Sequence, residues 1–109
     1  MNGKTNRRSG HSFEREIAND LKEIFPGARR RLEYHKEDGG QGIDLINTGK
    51  YKIQCKNRKT YTSVNTINEV KCDFDEVPIL ITRAKRQGTM AVLPWKDLLN
   101  LLETTEKQK

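Results

Sequence analysis

Gly42-Ile43-Asp44-Leu45-Ile46-Asn47-Thr48-Gly49-Lys50-Tyr51-Lys52-Ile53-Gln54-Cys55-Lys56-Asn57-Arg58-Lys59 reads as two strand arms about a turn, and its polar residues decide the rest. Tyr51, Ile53 and Cys55 alternate along the second arm, which puts Lys52, Gln54 and Lys56 on the other face. The turn then decides which face Asp44 joins. A two-residue turn sets Asp44 opposite Ile53, whereas a three-residue loop closed by Gly49 in the left-handed conformation shifts the register by one and brings Asp44 to the face of Gln54 and Lys56. Asn47-Thr48-Gly49 suits the longer loop, because glycine takes a positive φ without a Cβ clash and asparagine supports turns through its side chain. The expectation is one carboxylate, one amide oxygen and one ammonium converging on a single strand face.

Upstream, Phe13, Ile17, Leu21 and Ile24 recur at helical spacing, with Ser9 or Ser12 as N-cap and Pro26-Gly27 as the stop. Glu14 and Glu16 flank that stripe, where a carboxylate either reaches the sheet edge or faces water. Residues 1–8 contain Lys4, Arg7 and Arg8 and nothing apolar after Met1, which reads as a flexible basic arm that either tracks a phosphate backbone or is simply a tail. Ala28 to His35 reads as a short strand in which Arg29, Arg30 and Arg31 either grip phosphate or guard an exposed edge. Gly39, Gly40 and Gly42 make a flexible lead into the hairpin, with neither the phosphate-loop nor the dinucleotide pattern.

Downstream, Ile67, Val70 and Phe74 suggest a helix from Thr66 to about Phe74 with those residues inward. Val77 to Thr82 is the most apolar run and reads as a buried central strand opening after Pro78. Thr89 to Leu93 reads as a further strand stopped by Pro94, and Leu98, Leu99, Leu101 and Leu102 mark a last helix from about Trp95 to Glu103, with Trp95 as a packing residue in preference to a dimer contact and residues 104–109 as a disordered tail. The order helix, strands, helix, strands, helix predicts an α/β sandwich, a mixed sheet flanked by helices in one domain over residues 9–103.

Composition narrows the class. At 109 residues the chain holds one modest core, and a hydrophobic fraction of 33% matched by 33% charged residues leaves room for a partner surface. The net charge of +6 points to a polyanion, nucleic acid above all. No apolar run approaches membrane-spanning length and the polar start is no signal peptide, so the reading is cytoplasmic with no membrane partner. Cys55 and Cys72 lack metal-type spacing, and His11 and His35 sit beside no Ser or Cys nucleophile pattern.

Gly42-Ile43-Asp44, a ten-residue step, and then Gln54-Cys55-Lys56 resembles the PD-(D/E)xK nuclease superfamily motif, and within it the archaeal-type Holliday junction resolvases. Phe13-Glu14-Arg15-Glu16-Ile17 resembles their first helix, Asn57-Arg58-Lys59 their basic continuation, and Met90 to Leu102 their late strand and closing helix. The resemblance implies a restriction-endonuclease-like, three-layer α/β fold around a central mixed five-stranded sheet. It implies Mg²⁺ or Mn²⁺ held by Asp44, Glu14, Gln54 and the Cys55 backbone carbonyl, with Lys56 acting on the attacking water or the transition state. It also implies branched double-stranded DNA as partner, a homodimer, no small-molecule cofactor, and phosphate contacts from Arg7, Arg8, Arg29, Arg30, Arg31, Arg58 and Lys59. Gln54 departs from the pattern, since the motif has a glutamate there; an amide oxygen can bind a hard cation but brings no charge. Two rivals follow: a non-catalytic DNA-binding module of the same fold, and a related nuclease acting on DNA ends or flaps.

Overall fold

The computed structural model describes residues 3–32 and 42–108, with the backbone alone for residues 3–9. The elements in order are α1 (Gly3–Leu21), β1 (Arg29–Arg30), β2 (Leu45–Ile46), β3 (Tyr51–Arg58), a 3-10 helix (Val64–Glu69), β4 (Val77–Ala84), β5 (Thr89–Val92) and α2 (Trp95–Lys107). The class is α/β. The strands form two sheets, an antiparallel β1-β2 ribbon and a sheet ordered β3-β4-β5, where one five-stranded sheet was expected.

The larger sheet is mixed. β3 and β4 run parallel from Tyr51 opposite Val77 to Arg58 opposite Ala84, while β4 and β5 are antiparallel from Leu80 opposite Val92 to Arg83 opposite Thr89. β4 is therefore central, as its apolar run demands, and Val77, Leu80 and Ala84 are buried. The strand opens at Val77 and not after Pro78 as expected, and Pro78 is tolerated inside it for a geometric reason. Val77 donates its N–H to the Lys50 carbonyl at 2.8 Å, so the next nitrogen points away from β3, and β5 does not extend far enough to ask Pro78 for a donor.

One face of β3 carries the core. Phe13, Ile17 and Ala18 of α1 close on Leu45, Ile53 and Cys55, with Leu21, Tyr51, Ile79 and Ile81 packed around them. The alternation of Tyr51, Ile53 and Cys55 is thus the face covered by α1, and each large side chain buried there contributes about 1.5–3 kcal/mol. Arg83 of β4 lies over the Phe13 ring, 4.7 Å from its centroid, and its guanidinium grips the Glu16 carboxylate, tying helix to sheet. Ile24 does not extend the apolar stripe; the helix has ended at Leu21 and Ile24 is exposed.

Several boundaries differ from expectation. α1 begins at Gly3, so Lys4, Arg7 and Arg8 lie in helix and not in a loose arm, in keeping with the good helix propensity of straight-chain cations; Met1 and Asn2 fall outside the described residues. α2 likewise runs on to Lys107, into the expected tail, where Lys107 pairs with Glu103 one turn back. The helix expected over Thr66 to Phe74 is a short 3-10 helix started by Ser63, whose hydroxyl accepts the Asn65 N–H at 3.2 Å, and Phe74 lies wholly exposed. Val64, Asn65, Thr66, Ile67 and Asn68 are weak helix formers, so an extended turn at Val70 wins. Trp95, expected to pack inside, is 67% exposed. Among the described residues no helix is long and apolar enough to cross a membrane.

Candidate active site

Asp44 is held from both sides by its own backbone. Its N–H donates to the Ile53 carbonyl at 2.8 Å and its carbonyl accepts the Arg31 N–H at 2.7 Å. Asp44 thus stands opposite Ile53, the register of the shorter turn, although Gly49 does adopt the left-handed conformation at φ 62°. Asn47 is left-handed as well, at φ 64°, and the turn closes with the Tyr51 N–H on the Thr48 carbonyl at 3.2 Å. Leu45, Ile46 and Asn47 then face Lys52 alone, so this arm bulges away from β3 and pairs with β1, Arg29 opposite Ile46 and Arg30 opposite Leu45.

The Asp44 side chain completes the break. A continuing antiparallel ladder would give the Cys55 N–H to the Gly42 carbonyl, but Asp44 Oδ2 takes it at 2.8 Å. This substitution of a carboxylate for a ladder partner is the physical reason the expected single sheet is split. It leaves the second carboxylate oxygen outside that bond. In an extended strand a residue's N–H and C=O point the same way, so the Cys55 carbonyl faces the side on which Asp44 stands.

Charge gathers around this carboxylate. Burial pushes the Asp44 carboxyl up to about 6; the Cys55 N–H opposes the shift, the Glu14 carboxylate adds to it, and Lys56 and Arg31 oppose it. Glu14, Lys56 and Arg31 therefore act on Asp44 through space. Glu14 is itself oriented by β1, its Oε1 accepting from Arg30 Nε at 3.1 Å. Burial, with the Asp44 and Glu14 carboxylates, drives the Cys55 thiol far up, so it stays protonated and is no nucleophile.

Gln54 occupies the opposite face of β3 from Ile53 and Cys55, and it is 1% exposed. Its Nε2 donates to Glu69 Oε2 at 3.0 Å, and its Oε1 is buried with no partner. Glu69 was absent from the sequence reading. It sits at the end of the 3-10 helix, where Val70 N–H closes on the Ile67 carbonyl at 3.1 Å and the chain presses on Gly42. Nothing in the local sequence marked it, because its position depends on the crossover docking against β3. Lys52 is engaged elsewhere, with Glu76 at 3.2 Å, whereas Lys56 is half-buried on the face of Gln54.

The Asp44 and Glu14 carboxylates and the Cys55 carbonyl suit a hard cation in kind, whereas the unpartnered Gln54 oxygen, expected to join them, lies on the other face of β3. Among the described residues no three His, Cys, Asp or Glu side chains are grouped to hold a metal, so a main-chain oxygen is needed beside the Asp44 and Glu14 carboxylates. Of the expected DNA contacts, Arg29, Arg58 and Lys59 are exposed, Arg30 is spent partly on Glu14, and Arg31 is half-buried beside Asp44. The Arg7 and Arg8 side chains and His35 lie outside the described residues. Arg15 and Lys22 of α1 join Arg29 and Arg30 around a shallow groove floored by Ala18 and Leu32. Their i, i+7 spacing on one helix side was the signal that would have found them.

Compared with known proteins, the chain matches no family model, no curated protein and no solved structure.

Proposed function

We propose that the protein is a metal-dependent, structure-specific DNA endonuclease, acting as a homodimeric Holliday junction resolvase that hydrolyses phosphodiester bonds symmetrically at four-way junctions. The observation that carries the reading is the Asp44 carboxylate pinned by the Cys55 N–H within the field of Glu14, Lys56 and Arg31. Opposed charges around a half-buried carboxylate are what phosphoryl chemistry needs and what a plain sheet surface avoids. Asp44, Glu14 and the Cys55 carbonyl would hold a Mg²⁺ or Mn²⁺ ion, which when bound supplies water activation and charge neutralisation at the phosphate, with Gln54 on the other face of β3.

Lys56 and Arg31 supply the cationic side. They screen the carboxylates from one another before DNA arrives and stabilise the added charge of the pentacovalent phosphate afterwards. The groove of Arg15, Lys22, Arg29 and Arg30 lies beside Glu14 through the Arg30 ion pair and offers a phosphate backbone a path to the site. Two cuts related by symmetry call for two sites related by symmetry, and α2 presents Trp95, Leu99 and Leu102 as an exposed apolar stripe for a second copy.

Incubation with a synthetic four-way junction and Mg²⁺ or Mn²⁺ tests the proposal. Paired symmetric nicks are expected from the native chain, with Asp44→Asn and Lys56→Ala binding junctions without cutting them. Junctions left intact with both metals would sink the enzymatic reading, and cutting confined to ends or flaps would redirect it to a different branched or terminal substrate. A second reading has one observation of its own. The Gln54 amide nitrogen is committed to Glu69, which is also the behaviour of a residue retired into the fold of a DNA-binding module.

A further inference from the structure

Ala84, Lys85, Arg86 and Gln87 carry β4 toward β5 through a turn closed by the Gln87 N–H on the Ala84 carbonyl at 3.0 Å. Arg86, third in that turn, has a φ of 63°, the left-handed conformation that such turns give to glycine or asparagine. Asn47 is the other non-glycine residue with a positive φ among the described residues, and its amide finds the Gly27 carbonyl there. Arg86 has no such contact: it is exposed, and among the described residues its guanidinium makes no hydrogen bond or ion pair. An arginine held in water where glycine would sit without strain points to a use for its charge.

The turn is firmly seated. Tyr61 Oη donates to the Gly88 carbonyl at 2.7 Å, Arg83 Nε to Thr89 Oγ1 at 2.8 Å, and the Lys85 N–H to the Arg58 and Lys59 carbonyls at 3.1 and 3.2 Å. The last contact sets Lys85 and Arg86 beside Arg58 and Lys59, and all four are exposed. Arg83, one step inside, is by contrast paired with Glu16. β3 and β4 run parallel and both end at this corner, the edge at which open α/β sheets take their ligands.

We propose that Lys85 and Arg86, with Arg58 and Lys59, form a second contact for the phosphate backbone of duplex DNA, across β3 from the groove of Arg15 and Lys22. The inference rests on the nuclease reading of the Asp44 site for its substrate. Asp44 stands between β3 and the β1 side, its N–H on the Ile53 carbonyl and its carbonyl taking the Arg31 N–H, so the two basic surfaces flank it. Cys55, capped by Asp44, precedes Arg58 by three residues, about 10 Å along a strand. Phosphates of one DNA strand follow at about 3.4 Å along the axis, so a single duplex arm can touch Asp44 and the corner together.

Fluorescence anisotropy of a labelled four-way junction and of a linear duplex, with chelator present so that the DNA stays intact, tests this by binding alone. Lys85→Ala and Arg86→Gly are each expected to weaken both complexes about fivefold to tenfold at about 0.1 M salt and to lower the slope of log affinity against log salt by about one. Arg86→Gly is also expected to melt a few degrees above the native chain, since glycine takes the left-handed conformation freely. Arg86→Lys keeps the charge and is expected to keep the slope. Native affinity and slope in both Lys85→Ala and Arg86→Gly, from a native chain that binds DNA, overturn the inference and leave the nuclease reading standing. A lower melting temperature in Arg86→Gly overturns it too, by giving Arg86 to the fold. Losses confined to an RNA duplex of the same sequence would move the patch to RNA and overturn it equally. A native chain that binds neither DNA removes the inference and the reading of its substrate together.

Discussion

Gly42 and Glu69 meet backbone to backbone: at φ 81°, a Cβ on Gly42 would stand 2.5 Å from the Glu69 carbonyl oxygen. Neither neighbour can give way cheaply, because the contact is with main chain and the φ already disfavours a side chain. Gly42→Ala is expected to destabilise the fold by about 1–3 kcal/mol, read as a lower urea midpoint. Gly10, inside α1 with nothing within 4 Å of its would-be Cβ, supplies the opposite case: Gly10→Ala is expected to stabilise by about 0.5–1 kcal/mol. Equal effects at the two positions would contradict the close approach at Gly42.

Asp44 gives a pH-dependent prediction. Its folded carboxyl is raised to about 6 against an unfolded value near 4, so in the metal-free protein it contributes stability below pH ~4 that is lost as pH rises through about 6. Asp44→Asn keeps an oxygen for the Cys55 N–H without the buried charge. The variant is therefore expected to melt higher than the native chain at pH 8, by a difference on the order of 2 kcal/mol, and to lose that advantage at pH 4. Thermal melts of the metal-free proteins at the two pH values, with chelator present, check it; a variant less stable at pH 8 would show that the carboxylate is stabilised and not strained.

The groove lined by Arg15 and Lys22 predicts a salt signature. Arg15→Ala and Lys22→Ala are each expected to weaken four-way junction binding without regard to base sequence and to lower the slope of log affinity against log salt by about one. Fluorescence anisotropy across a salt series measures this. An unchanged slope in both variants would place the DNA on another face.

α2 carries no buried residue, so its exposed stripe can be changed at little cost to the fold. Trp95→Ser with Leu99→Glu is expected to leave the far-ultraviolet circular dichroism spectrum unchanged and to shift sedimentation toward the monomer. Native chain that sediments as monomer at tens of micromolar would dismiss α2 as the dimer face.

How much was legible depended on whether a feature was local. The apolar spacing of Phe13, Ile17, Ile53 and Cys55 placed α1 against β3, because period alone determines which side chains share a face. Glu14 and Lys56 are felt electrostatically by Asp44, although the register sets Asp44 opposite Ile53 and not on the Lys56 face. The register was not legible. Gly49 took the conformation its turn chemistry predicts, yet Asn47 also turned left-handed, anchored by its Nδ2 on the Gly27 carbonyl at 3.0 Å, a contact across twenty residues that no local pattern encodes. The cap on Cys55 and the partner of Gln54 are equally non-local, and together they separate the actual site from the expected alignment of Asp44, Gln54 and Lys56 on one strand face.

The parallel pairing of β3 with β4 also orders events in time. Antiparallel neighbours can be zipped from a tight turn, but β3 and β4 meet only after the segment from Lys59 to Glu76 has looped over, and closing that loop costs entropy before any ladder bond repays it. Asp44 belongs to the early, locally closed side of β3, near the Thr48–Tyr51 turn, whereas Glu69 arrives with the loop. The cap on the Cys55 N–H and the partner of the Gln54 amide are thus products of different folding events. An opening confined to the crossover would release the Gln54 amide while the α1 core and the Asp44 cap stayed shut, so the amides of the loop and of the core are expected to exchange at different rates.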